Sequence, residues 1–156
     1  MFIQPVNSPN APKAIGPYSP AVKLGDFVYL SGQVPLDPFT GELVEGGIKE
    51  QTEQVMKNIE AVLSEMNLET RHIVKTTIFM TDLAEFAEMN EVYAKYLSQP
   101  YPARSTVQVV ALPKGAKVEI ECLVIDTLAY EMQTGGCGGC SGDCEDTECC
   151  GCGDEE

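Results

Sequence analysis

Two arginines, one histidine, seven cysteines and 24 carboxylates carry most of the chemical potential of this 156-residue chain. One of the arginines, Arg104, stands in "YPARSTVQVV", after a Pro-Ala pair and before a β-branched run, where a loop hands over to a strand. A guanidinium there has two uses. It can pair with a neighbouring acid, a contact that contributes about 0–1 kcal/mol when exposed. It can instead hold a ligand carboxylate, because its planar fork matches two oxygens at once. The lone histidine, His72, lies beside Arg71 at a helix-to-strand junction, and a structural or solvated role is expected for it. Any Ser-His-Asp or Cys-His arrangement would depend on that one ring. Cys122 sits among Val and Ile and reads as a buried, inert thiol.

The other six cysteines, Cys137, Cys140, Cys144, Cys149, Cys150 and Cys152, share a C-terminal segment of Gly, Cys and acid. Their spacing is C-x2-C-x3-C-x4-C-C-x-C. Thiolates at this density suit soft metals such as Zn²⁺ or Cu(I), or an iron–sulfur cluster. A second C-x2-C at zinc-ribbon distance is missing. Three readings stay open for residues 131–156: a flexible reduced tail without a fixed role, a metal-binding segment, or a redox segment. No metal is named by the pattern.

Charge divides the chain in the same way. Residues 1–130 hold 16 Asp/Glu and all 10 Lys/Arg, whereas residues 131–156 hold eight acids and no base. A formal charge of −14 opposes binding to phosphate backbones, so nucleic acid is an unexpected partner. No apolar run is long enough to span a membrane. The first residues lack a basic segment followed by an apolar one, so no secretory signal is read and a cytoplasmic location is expected. The length suits one domain, placed at residues 1–130, followed by the tail at 131–156.

The elements that must position Arg104 follow from periodicity. "AVKLGDFVYLSGQVP" reads as two strands joined at Gly25-Asp26. Ile48, Val55, Ile59, Val62, Leu63 and Met66 mark one face of a helix. "HIVKTTIFM" reads as a strand. "TDLAEFAEMNEVYAKYL" reads as a second helix, with Asp82 and Glu85 spaced as a capping box. "ARSTVQVVAL" and "AKVEIECLVIDTL" read as strands joined through "PKG". The order ββ-α-β-α-ββ predicts an α+β, two-layer domain: one mixed sheet with two helices on one face.

Alternation assigns the faces. In the last strand, Val118, Ile120, Cys122 and Val124 should meet the helices, leaving Glu119 on the other side. In the strand before it, Val107, Val109 and Ala111 form the apolar set, which puts Arg104, Thr106 and Gln108 opposite. Arg104 and Glu119 are therefore expected together on the helix-free face. That face also carries Val110, Leu123 and Ile125, a half-apolar surface suited to burial against another subunit. Tyr18, Ser31, Gly32 and Asn90 have ordinary readings: a packing aromatic, a strand-end bulge and a polar helix position.

With these residues in view, "YPARSTVQVVALPKGAKVEIECLVI" resembles the C-terminal signature of the RidA (YjgF) family of reactive-intermediate imine/enamine deaminases. "NAPKAIGPYSPAV", "VYLSGQVPLDPFTGELV" and "IVKTTIFMTDLAEFAEMNEVYAKYL" agree in order, so the resemblance spans nearly all of residues 8–127 and stops before the tail. It implies a chorismate-mutase-like fold and a homotrimer with active sites between neighbouring subunits. It implies hydrolysis of 2-imino or 2-enamino acids, released by pyridoxal-phosphate enzymes, to 2-oxo acids and ammonia, with no cofactor. Arg104 matches the arginine that pairs with the substrate carboxylate, and Glu119 the glutamate associated with water activation. Tyr18, Ser31, Gly32 and Asn90 match the remaining pocket positions. Thr106 stands where many members carry Cys, at a position used mainly through its backbone. A module that binds or senses small 2-oxo acids is the alternative, and ribonuclease or translation-inhibitor activity a more distant one.

Overall fold

The structure is a computed structural model and describes residues 2–134. Six strands form one sheet: β1 (Gln4–Val6), β2 (Ala21–Leu24), β3 (Phe27–Gln33), β4 (Ile73–Met80), β5 (Ala103–Gln108) and β6 (Val118–Ile125). Their spatial order is β1-β2-β3-β6-β4-β5. Every pairing is antiparallel except β4 with β5. Helices α1 (Ile48–Ser64) and α2 (Phe86–Tyr93) pack against each other and cover one face of the sheet. A third, short helix, α3 (Leu128–Thr134), follows β6 and runs across the expected boundary at residue 130. The α+β two-layer class holds, with a mixed sheet and both long helices on one side. Among the described residues no helix is long and apolar enough to cross a membrane. The six tail cysteines lie outside the described residues.

The core forms because two periodicities meet. Val55, Ile59, Val62 and Leu63 of α1 are fully buried, as their 3–4-residue spacing requires. They rest on the alternating inward residues Val28 and Leu30 of β3 and Val118, Ile120, Cys122 and Val124 of β6. β2 and β3 turn at Gly25, whose φ of 60° is a left-handed conformation that costs glycine nothing. Pro5 and a length of three residues hide β1 from pattern reading; it pairs along β2.

Three expectations are corrected. First, β5 and β6 are not neighbours: β4 lies between them, parallel to β5 and antiparallel to β6. The connection from β4 through α2 to β5 is a crossover, which makes the two strands parallel. Second, the "PKG" turn therefore spans the width of a strand, with Thr81 N–H donating to the Lys117 carbonyl and Val109 N–H to that of Met80. Third, Asp82 and Glu85 do not form a capping box. Asp82 Oδ1 accepts from Ala84 N–H at 2.8 Å and caps a 3₁₀ turn at Leu83–Glu85. Glu85 instead takes the Lys117 ammonium at 2.7 Å.

Candidate active site

The strand register decides which residues can meet. Arg104 pairs with Thr76, Thr106 with Ile78 and Gln108 with Met80, and these three β4 residues are buried against the helices. Arg104 and Thr106 thus belong to the helix side of the sheet. Glu119 pairs with Phe79 and faces the other way. The expected meeting of Arg104 and Glu119 on one face is wrong: within one chain they stand on opposite faces. The error has a physical cause. The open face is itself apolar, with Val107 on β5 and Phe27 and Tyr29 on β3, so the Val set of β5 marked that face and not the core.

Two separate clefts result. The first lies on the open face, a cleft of about 290 Å³ lined by Tyr18, Ser31, Gly32, Glu119, Ile15, Val34 and Pro113. The β3–β6 register shifts between Leu30 and Gln33, a bulge that turns Ser31 and Gly32 toward Glu119. Ser31 Oγ donates to the Ser19 carbonyl at 2.7 Å, and its N–H donates to Pro20, which fastens the strand to the segment carrying Tyr18. Gly32 is a matter of space. A Cβ there would lie 1.8 Å from Glu119 Oε1, so the glutamate occupies the volume a side chain would need. Burial holds the Glu119 carboxyl above its ordinary range, and the neighbouring charge of Glu121 adds to the shift. A carboxyl of this kind takes up and releases a proton more readily near neutral pH than a solvated one.

The second lies at the β5 edge, a cleft of about 430 Å³ lined by Asn90, Tyr93, Ala94, Tyr101, Pro102 and Arg104. Arg104 Nη1 donates to Asn90 Oδ1 at 2.7 Å. The guanidinium carbon is 5.3 Å from the centre of the Phe86 ring and 5.2 Å from that of Tyr93, both within cation–π range. Asn90, expected in the pocket as a ligand contact, touches Arg104 itself. Thr106 lines neither cleft, and its Oγ1 is buried without a partner among the described residues. Phe86, Tyr93, Tyr101 and Pro113 were not anticipated as site residues. For Phe86 and Tyr93 a signal existed: Phe86, Asn90 and Tyr93 follow i, i+4, i+7 spacing, which reads equally well as plain core.

Neither His72 nor Cys122 lines either cleft. His72 is buried, with Nδ1 accepting from Glu69 N–H at 3.0 Å. Cys122 is buried in the core, and burial, reinforced by Glu121, pushes its thiol up to about 12. Among the described residues no group of three or more His, Cys, Asp or Glu could hold a metal ion.

The family model described as Endoribonuclease L-PSP matches residues 8–126. Reactive Intermediate Deaminase A, chloroplastic, of Arabidopsis thaliana is 50% identical over 76% of this chain and 63% of its own length. The human 2-iminobutanoate/2-iminopropanoate deaminase is 42% identical over 77% of this chain and 88% of its own. The crystal structure of RidA from the Antarctic bacterium Psychrobacter sp. superimposes with a TM-score of 0.76 at 49% identity, covering 78% of this chain and 98% of that one. The chain therefore belongs to the Endoribonuclease L-PSP family, which includes the reactive-intermediate deaminases.

Proposed function

We propose that this protein is a hydrolytic deaminase of reactive 2-imino and 2-enamino acids, giving 2-oxo acids and ammonia, and that it works as a homotrimer. One observation carries the reading. Arg104 and Glu119 lie on opposite faces of one sheet, each in an open cleft, so a site using both needs Glu119 from a second copy. The apolar open face, with Phe27, Tyr29 and Val107 each between 40 and 50% exposed, supplies a surface for that association. The catalytic domain is assigned to residues 1–130 and the tail is an appendage to it.

In the joined cleft the Arg104 fork takes the substrate carboxylate and places C2 beside Glu119 of the neighbouring copy. Glu119 accepts a proton from water as the water oxygen bonds to C2 and the C=N π pair moves to nitrogen. The same carboxyl returns a proton to nitrogen. Glu119 then takes the proton of the C2 hydroxyl and passes it to the amino nitrogen; the C–N bond breaks with its pair going to nitrogen, which leaves as ammonia, and the C2–O⁻ pair forms the carbonyl of the 2-oxo acid. Tyr18 and Ser31 border the space for water and the amino group. Fixing the carboxylate and the water removes orientational freedom from the step. Each charge-assisted hydrogen bond from Arg104 contributes on the order of 1.5–3 kcal/mol.

The test is to generate the imine with a pyridoxal-phosphate serine or threonine dehydratase. Release of pyruvate or 2-oxobutyrate should be faster with this protein and unaccelerated with Arg104→Ala. No acceleration by the wild type would contradict the reading. The word endoribonuclease in the family description points to RNA, but a charge of −14 and a single, buried histidine do not suit RNA cleavage.

A further inference from the structure

Arg104 is held by a device that extends beyond the cleft. Thr76 on β4 is its partner across the parallel rung. Thr76 Oγ1 and the Tyr93 hydroxyl share a buried hydrogen bond of 2.8 Å. Tyr93 in turn places its ring 5.2 Å from the guanidinium carbon. The three residues close a loop: strand rung, side-chain bond, ring contact. Phe86 lies two helical turns before Tyr93 on the same face of α2, and Asn90 lies between them. One helical stripe therefore sets the position of the guanidinium at three points.

We propose that the Thr76–Tyr93 pair is a positioning element that fixes the Arg104 fork for carboxylate binding, with Phe86 as its second ring. The inference rests on the deaminase reading only in taking Arg104 as the carboxylate receptor. Its physical content is that aromatic contacts favour a weakly hydrated, planar cation over an ammonium, and that a preorganised fork loses less freedom on binding. Asn90 engages one of the two Nη1 N–H groups, which leaves four of the five guanidinium donors, including the Nε–Nη2 fork. Thr76 is buried and lines neither cleft, so it acts on Arg104 from behind the cleft wall.

The test measures binding of 2-oxobutyrate and of its uncharged amide by calorimetry, beside steady-state turnover, in the full-length protein. Thr76→Val keeps the shape and removes only the hydroxyl. Tyr93→Phe removes the same bond from the other side, and Tyr93→Leu removes the ring. Thr76→Val and Tyr93→Phe should each weaken the acid about threefold, and Tyr93→Leu about tenfold or more, in line with the range for cation–π contacts. The double variant Thr76→Val/Tyr93→Phe should equal either single one. Binding of the amide should be unchanged, and KM should rise more than kcat falls. Equal losses for acid and amide, or acid binding within twofold of wild type in Tyr93→Leu, would overturn the proposal. A wild type that neither binds the acid nor turns over substrate would instead overturn the function on which it rests.

Discussion

At the scale of single residues, Glu119 and Gly32 form one unit. The glutamate occupies the space above the glycine, so Gly32→Ala must push the carboxylate aside by more than 1 Å. Proton-transfer groups contribute about 10²–10⁴-fold, and most of that depends on placement. Gly32→Ala should therefore lower kcat about a hundredfold while leaving the fold intact, as steady-state kinetics and circular dichroism would show. Glu119 also predicts a pH dependence. Its pKa is raised by burial, so the ionised form that the proposed reaction uses is lost as pH falls through a value above the ordinary 4.5. The acid limb of kcat/KM should lie above that value and vanish in Glu119→Gln. The stability sign is opposite to that of a paired carboxylate, because burial disfavours the charged form. Glu119→Gln should thus be more stable than wild type at neutral pH, and the difference should shrink as pH falls through the raised pKa and be lost below about 4.5.

Among the elements, α1 does more than fill the core. Asn58, fully buried, donates from Nδ2 to the carbonyls of Val34 and Leu36 at 3.1 and 3.0 Å. Gln51 Oε1 accepts from Lys117 N–H at 2.8 Å, just before β6. The helix thereby holds the segment carrying Val34 and the start of the strand carrying Glu119. Asn58→Leu takes the side-chain donor from the Leu36 carbonyl and leaves that of Val34 with the Leu36 N–H, and should cost roughly 1–3 kcal/mol in denaturant unfolding. The short helix α3 is fastened by ions. Arg71 donates to both Glu131 oxygens at 2.9 and 3.0 Å, and this pairing, helped by Thr127, holds the Glu131 carboxyl at about 2. A depressed carboxylate stabilises above its unfolded pKa and loses that contribution on acidification. Docking of α3 should be intact above pH 4.5 and weaken towards pH 2. Exchange protection of the Tyr130 and Glu131 amides would report it, and Glu131→Gln should remove the pH dependence.

The elements also show where sequence reasoning succeeds. The phase of β6 was legible because Val118, Ile120, Cys122 and Val124 are uniformly apolar, whereas the opposite positions include Glu119 and Glu121. The phase of β5 was not, because that strand is an edge whose outward face is apolar as well. Alternation identifies two faces without saying which one meets the helices. Neighbourhood was hidden for a related reason. A short connection suggested a β5–β6 hairpin, and only the crossover through α2 puts β4 between them. Tyr18, Ser31, Gly32 and Glu119 share one cleft, whereas Arg104 and Asn90 form a separate cluster and Thr106 joins neither.

For the whole molecule, that separation is the main result. Arg104 and Glu119 open into separate clefts on opposite faces of one sheet, and under the proposed function these are two half-sites. In a cyclic trimer each Arg104 would work with Glu119 of the next subunit, and three complete sites would form. The most direct measurement is subunit complementation. Arg104→Ala and Glu119→Gln chains, each inactive alone, are mixed equally, unfolded and reassembled, then assayed for 2-oxo acid release from dehydratase-generated imine. Half of the arginines and half of the neighbouring glutamates are unaltered, independently, so activity should return to about a quarter of wild type. Mixed assemblies as inactive as their parents, from a wild type that survives the same treatment, would contradict the shared site.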